Sequence, residues 1–188
     1  KEEQGPGAVS IGWDSGLTTQ GDYAVAFGML AGETNQGDVT VAVGKSAGQT
    51  NQGGGSVGVG QLAGYTNQSV NAVAVGNSAG YEEQGVGAIG IGFEAGQTNQ
   101  SVHAVAVGKS AGSTTQGTYS VAVGSEAGNI NQGDFSVAVG MKAGLTGQSV
   151  DATAVGRNAG QINQATSATA VGIEAGSNTQ GTCAVAVG

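Results

Sequence analysis

Few side chains in this sequence are of the types that carry chemistry, and they are scattered along the chain. His103 is the only histidine and Cys183 the only cysteine, so neither has a second ligand of its kind with which to hold a metal ion. Glu82 and Glu83 adjoin in one turn, which is not the arrangement of two carboxylates flanking a scissile bond. We therefore predict that the protein is not an enzyme and has no catalytic residue, cofactor or metal site.

Two further patterns could support chemistry at the surface. Asp22 and Asp38 occupy equivalent places in two similar stretches of sequence and could share a cation, although the sequence lacks the glycine- and aspartate-rich repeat that binds calcium in RTX proteins. Asn67 and Asn99 each begin an Asn-Gln-Ser sequon, which is an acceptor for N-glycosylation in a secreted protein. The alternative is that these sequons arose by chance, where serine replaces a glycine of the repeat.

Composition excludes several classes of protein. Glycine accounts for 38 of 188 residues and charged residues for only 10%, against about 25% charged residues in an ordinary domain. A single proline and the lack of a three-residue glycine period exclude collagen. The net charge of −8 disfavours nucleic acid as a partner. No run of about 20 apolar residues is present, so we predict no membrane insertion by this segment.

These residues belong to a 16-residue repeat that fills the chain as a single array. A partial repeat at 1–6 precedes eleven full repeats at 7–182, and a partial repeat at 183–188 follows them. We number the positions of the repeat from 1 at Gly7. Positions 6 and 10 are always glycine, and position 14 is always glutamine. Because the chain enters and leaves in mid-repeat, we expect a longer array or axial stacking of copies.

Positions 2 to 5 have the alternating pattern of a β-strand. Position 5 is always Val, Ile or Phe and position 3 is Val, Ile or Thr, whereas positions 2 and 4 carry only Ala, Gly, Ser or Thr. We predict an all-β fold, a parallel β-solenoid or β-roll with one repeat per coil and two short strands per coil. The valines of positions 3 and 5 should face inward. The second strand should lie near positions 8–12, with the alanine of position 9 inside.

Identical residues would then stack in columns along the rod. The glutamine column could form a ladder of side-chain amides, or its members could cap backbone groups of the turns. The column consists of Gln20, Gln36, Gln52, Gln68, Gln84, Gln100, Gln116, Gln132, Gln148, Gln164 and Gln180.

The small residues of positions 2 and 4 predict a flat face without charge, which suits close packing against another chain. The alternative is an inverted coil with alanines inside and valines outside, which also leaves an apolar stripe exposed. The residues expected at this interchain face are Ala26, Ala42, Ala74, Ala106, Ala122, Ala138, Ala154 and Ala170.

With the columns aligned, the chain resembles a known family. Asn71–Ala79 (NAVAVGNSA), His103–Ala111 (HAVAVGKSA) and Tyr119–Ala127 (YSVAVGSEA) are similar to the head repeats of YadA-like trimeric autotransporter adhesins. Similar repeats occur in fibre proteins of phages and large viruses. The resemblance implies a left-handed β-roll, association into a trimer and attachment to matrix or host surfaces.

We therefore expect a structural and adhesive element of a fibre or filament at an extracellular, cell or virion surface. Its expected partners are further copies of itself, as a homotrimer or filament, and a host surface, matrix protein or glycan. The alternative is a glycan- or ice-binding module. Thr34, Thr50 and Thr66 form one column at position 12, as an ice-binding array requires, but Glu82 interrupts it.

Overall fold

The protein, described over residues 2–188 by a computed structural model, is a parallel β-solenoid in which each repeat makes one coil. Every strand pairs with its equivalent in the next coil, as Val105 does with Val121 and Gln100 with Gln116. The prediction of an all-β parallel solenoid with two short strands per coil is confirmed. Residues 2–188 form no helix, so none of them belongs to a helix that could cross a membrane.

Positions 3–5 of successive coils form a 12-stranded sheet, which we call the valine sheet. Its strands are β2 (Val9–Ile11), β4 (Val25–Phe27), β6 (Val41–Val43), β8 (Val57–Val59), β10 (Val73–Val75), β12 (Ile89–Ile91), β14 (Val105–Val107), β16 (Val121–Val123), β18 (Val137–Val139), β20 (Thr153–Val155), β22 (Thr169–Val171) and β23 (Val185–Val187).

Positions 12–14 form an 11-stranded sheet, which we call the glutamine sheet. Its strands are β1 (Glu2–Gln4), β3 (Thr18–Gln20), β5 (Thr34–Gln36), β7 (Thr50–Gln52), β9 (Thr66–Gln68), β11 (Glu82–Gln84), β13 (Thr98–Gln100), β15 (Thr114–Gln116), β17 (Ile130–Gln132), β19 (Thr146–Gln148) and β21 (Ile162–Gln164). The prediction of a second strand near positions 8–12 was therefore wrong. Positions 6–10 form turns, and the strand begins after them.

The two glycine columns are explained by backbone conformation and by close approach. At position 6, Gly108 has φ of 128°, and a Cβ there would lie 2.7 Å from the carbonyl oxygen of Gly124 in the next coil. At position 10, Gly96 has φ of 53°, and its Cβ would lie 2.5 Å from the side-chain oxygen of Gln100. Both positions therefore exclude side chains, because L-residues rarely adopt these φ values and the space is already filled.

The interior of the coil contains alanine, not valine. Ala106 and Ala122 at position 4 are fully buried, as are Ala72 at position 2 and Ala95 at position 9. Valines of positions 3 and 5 are half-buried or exposed on the outer side of the same strands. The prediction of inward valines was wrong, and the inverted coil is the correct arrangement. The prediction that the alanine of position 9 points inward is confirmed.

The core is a zipper of methyl groups from positions 4 and 9. Its largest continuous part consists of Ala95, Ala106, Ala111, Ala122, Ala127, Ala138, Ala143, Ala154, Ala159 and Ala170. The zipper is divided into three clusters because Gly58 and Gly90 replace alanine at position 4 and contribute no methyl group. A coil made of a single repeat and closed by two glycine turns leaves room at positions 4 and 9 for little more than a methyl group.

This arrangement predicts unequal costs for substituting neighbouring residues of one strand. Ala106→Val adds two methyl groups to a filled interior and should destabilise the protein by about 1–3 kcal/mol. Val107→Thr changes the outer side and should alter stability by no more than about 0.5 kcal/mol. Urea unfolding of dilute protein, followed by circular dichroism, measures both. The reverse ranking of the two variants would place the valines inside.

Candidate functional site

The glutamine column is a buried ladder of amides, as the first of the two sequence-based alternatives predicted. Gln84 Nε2 donates to Gln100 Oε1 at 3.0 Å, and Gln100 Nε2 donates to Gln116 Oε1 at 3.1 Å. The same relation joins Gln20 to Gln36 at 3.0 Å. Each glutamine in these pairs is no more than 2% exposed. Every bond in the ladder runs in one direction, from a nitrogen to an oxygen of the following coil.

Each glutamine from Gln20 to Gln180 also donates to a backbone carbonyl of the valine sheet, and several donate to the last carbonyl of a turn as well, as Gln100 Nε2 does to Ala104 at 3.2 Å. Gln100 Nε2 lies 2.7 Å from the carbonyl oxygen of Ile89 at position 3 of its own coil. The same bond joins Gln84 to Val73 at 2.8 Å. The alternative in which the glutamines cap turn backbone groups is therefore also realised, at Ala104 and its equivalents. The amide thus ties together the two sheets of one coil as well as two successive coils.

The ladder is interrupted at two places among residues 2–188. No hydrogen bond joins Gln116 to Gln132 or Gln164 to Gln180, and the side-chain oxygens of Gln132 and Gln180 are buried without a partner. The nitrogens of Gln116 and Gln164 still donate to backbone carbonyls, at 2.7 Å and 2.8 Å. The interruptions leave one segment of ladder from Gln4 to Gln116, a second from Gln132 to Gln164, and Gln180 alone.

The alanines that were expected to form an interchain face lie inside the coil instead. Their side chains are fully buried within one chain, so they cannot contact a second copy. Small size at these positions reflects the narrow interior. The residues concerned are Ala26, Ala42, Ala74, Ala106, Ala122, Ala138, Ala154 and Ala170.

The outer side of the valine sheet is the large apolar surface of the molecule. Positions 3 and 5 present two columns of side chains along 12 strands, and all of them are Val, Ile or Phe except Thr153 and Thr169. Near the middle of the rod Ile91 is 40% exposed and Val123 36% exposed. We call this surface the valine face. It contains no charged residue.

Aromatic residues stack between coils at the edges of the sheets. His103, Tyr119 and Phe135 at position 1 form a stack with centroid distances of 5.2 Å and 5.7 Å. Tyr65 and Tyr81 at position 11 stack at 4.9 Å. Burial raises the pKa of Tyr81, with smaller contributions from the neighbouring Tyr65 and Glu82. Although they stack, Tyr119 and Phe135 remain more than half exposed.

The acidic residues are used within the protein in several ways. The Asp38 carboxylate accepts a hydrogen bond from the backbone N–H of Asp22 at 2.9 Å, so it caps the preceding coil. Glu126 pairs with Lys142 at 3.7 Å in an exposed ion pair.

No group of three His, Cys, Asp or Glu side chains suited to a metal ion occurs within residues 2–188. Cys183 is exposed and unpaired.

A second amide ladder lies on the outside, at position 13, and the sequence-based reasoning missed it. Asn35 Nδ2 donates to Asn51 Oδ1, and Asn51 Nδ2 donates to Asn67 Oδ1, both at 3.0 Å. The signal was present in the repeated Thr-Asn-Gln triplet, because position 13 has positive φ and asparagine accepts that conformation better than most residues. The threonine column at position 12, including Thr50, is half-buried beside it.

No protein-family model, curated protein or solved structure matches this chain.

The buried ladder predicts a large difference between two nearby glutamines. Gln100→Leu removes the acceptor of Gln84 and the donors to Gln116 and Ile89. Each buried polar group left without a partner costs about 1–3 kcal/mol, so the variant should lose several kcal/mol. The control is Gln97→Leu at position 11, whose side chain forms no hydrogen bond with residues 2–188. The two variants are compared by urea unfolding, and equal losses would contradict a structural role for the ladder.

Proposed function

We propose that the protein is a non-enzymatic, rigid structural element of an extracellular or virion-surface fibre, and that copies of it associate through the valine face. The observation that carries the proposal is the flat, charge-free apolar surface that runs the length of the 12-stranded sheet. A continuous apolar patch of several hundred Å² is typical of a surface with a binding function.

Rigidity follows from the way in which the coils are joined. Each coil is bonded to the next along both sheets and through the turns, as by Gly96 N to the Ala111 carbonyl at 2.9 Å and by Gln100 to Gln116. Because the bonds repeat at every level, bending the rod requires several of them to lengthen together. A rod of this kind suits a protein that acts as a spacer of fixed length or as a rigid support for a surface.

The dimensions of the valine face are sufficient for self-association. Twelve strands about 4.8 Å apart, each of three residues rising about 3.3 Å, give a face of roughly 500 Å². Two such faces together bury about 1,000 Å², which is near the lower limit for a specific interface. The face is the same on every copy, and its regular columns allow two copies to pack along their whole length.

The resemblance to YadA-like head repeats supports the same proposal. Heads of that family are three β-rolls joined side by side, and they attach to matrix or host surfaces. A homotrimer or a filament joined through the valine face fits this arrangement. Attachment to a host surface or matrix protein is then a property of the exposed columns at positions 1 and 7, where side chains vary most between coils.

Two pairs of lysine substitutions test the proposed interface. Ile91→Lys with Val123→Lys places two charges at the centre of the valine face and should convert the assembly to monomers. Ile130→Lys with Ile162→Lys is the matched control, because these β-branched residues lie on the glutamine sheet at 40% and 42% exposure. The control should keep the assembly of the parent. Sedimentation velocity at micromolar concentration measures both.

Two results would contradict the proposal. One is a parent protein that sediments as a monomer at these concentrations. The other is loss of assembly in the control pair while the valine-face pair still assembles, which would move the interface to the glutamine sheet.

A further inference from the structure

A shallow groove follows the rod on the side of the glutamine sheet. One wall is the position 13 column, the floor is position 15, and the other wall is position 16. Four cavities lie along this single track, and the largest has a volume of about 510 Å³. It is centred on the coil of Glu83, and its lining includes Asn67, Ser69, Glu83, Asn99, Ser101 and Val102.

Glu83 gives this part of the groove its chemistry by interrupting the outer amide ladder. The ladder runs from Asn35 through Asn51 to Asn67 and stops where glutamate replaces asparagine. Within residues 2–188, no hydrogen bond is formed by the side chains of Glu83 and Asn99 or by the hydroxyls of Ser69 and Ser101. One carboxylate, one amide and two hydroxyls, spread over three successive coils, therefore line the groove without partners in the protein.

The floor of the groove offers no backbone groups to a ligand. The Gly85 N–H donates to the Gln100 carbonyl at 2.7 Å, and the Gly85 carbonyl accepts from the Ala88 N–H at 3.1 Å. The same two bonds are formed by Ser101, at 3.0 Å and 3.2 Å. An extended peptide could not add to this surface as a further strand, because strand addition requires free backbone donors and acceptors.

The charge and shape of the groove exclude further classes of ligand. A carboxylate at its centre and a net charge of −8 disfavour anions, including nucleic acid. One carboxylate falls short of the oxygen ligands that calcium requires. A ligand rich in hydroxyl groups meets the remaining conditions, because hydroxyls donate to Glu83 and exchange hydrogen bonds with Asn99 and the serines. Val102, which is 39% exposed, supplies an apolar contact for C–H groups.

We propose that this groove binds a neutral, linear, β-linked hexose chain that lies parallel to the rod. The groove follows coils that are spaced about 4.8 Å apart, and an extended β-1,4-linked chain advances by nearly that distance per sugar. A chain parallel to the rod can therefore place one sugar at Glu83 and the sugars on either side of it at Asn67 with Ser69 and at Asn99 with Ser101. The neighbouring cavity at Asn35 and Asn51 binds less strongly, because its amides are already bonded to each other.

The conformation of Glu83 supplies a test that separates binding from folding. Its φ is 55°, a region where asparagine is better tolerated than glutamate. Glu83→Asn restores the residue of the neighbouring coils, so it should leave the thermal midpoint unchanged or raise it. The same change removes the carboxylate and should weaken binding at least tenfold. Glu83→Gln keeps the length of the side chain and should weaken binding similarly.

The experiment is isothermal titration of the parent and its variants with cellohexaose and with mannohexaose. Protein is produced in a host without N-glycosylation, because Asn67 and Asn99 lie in sequons at the groove. Glu82→Gln is the control, since it removes one negative charge from the adjacent residue, which does not line the cavity. This control should bind like the parent. The proposal expects binding of at least one of the two hexasaccharides.

Several outcomes would overturn the proposal. They are no binding of either hexasaccharide by the parent, equal binding by Glu83→Asn and the parent, and displacement of the sugar by a neutral glycine–serine peptide. Tighter binding of an oligogalacturonate than of the neutral sugars would also do so. The protein with both Ile91→Lys and Val123→Lys should retain sugar binding, because its changes lie on the valine face. The proposed sugar site and the proposed interface can therefore be rejected independently of each other.

Discussion

The width of the coil is the constraint on which the rest of this structure depends. The two glycine turns of each coil bring the sheets so close that the interior holds only methyl groups, small hydroxyl side chains such as those of Thr40 and Ser120, and one amide per coil. Burial of alanine provides little hydrophobic free energy per residue, because the apolar area of each methyl group is small. The solenoid therefore depends on hydrogen bonds to an unusual degree, and its larger apolar side chains are left outside.

The glutamine ladder shows how a polar group can occupy such a core. Gln100 is almost fully buried, yet its nitrogen has three acceptors within hydrogen-bond distance and its oxygen has a donor. Glycine at position 10 leaves room for this amide, because a Cβ on Gly96 would lie 2.5 Å from the side-chain oxygen of Gln100. Two columns that look independent in the sequence are therefore one structural unit. A larger residue at position 10 would displace the amide and leave several partners unsatisfied.

The sequence was sufficient for the fold because the repeat made every strand and turn appear many times. The repeat period, the glycines and the glutamine ladder could all be predicted from columns of identical residues. Which face of each strand points into the coil could not be predicted, because alternation of residues such as Ala106 and Val107 is compatible with either orientation. The small size of Ala106 was interpreted as a requirement of contact with another chain, whereas it is required by the chain's own interior. Hydrophobicity favoured valine inside, and the limited width of the coil overrode it. The groove at Glu83 was not predicted because position 13 was not recognised as an outer wall.

The single direction of the amide ladder has a consequence for how the rod is built. Each coil presents the N–H of its glutamine to the coil that follows it in the chain, as Gln84 does to Gln100. An uncovered coil therefore offers amide N–H donors on the side toward the C-terminus and amide oxygen acceptors on the side toward the N-terminus. The two ends of a run of coils are chemically different. Two runs stacked end to end can continue the ladder only head to tail, because any other contact would bring donor against donor or acceptor against acceptor.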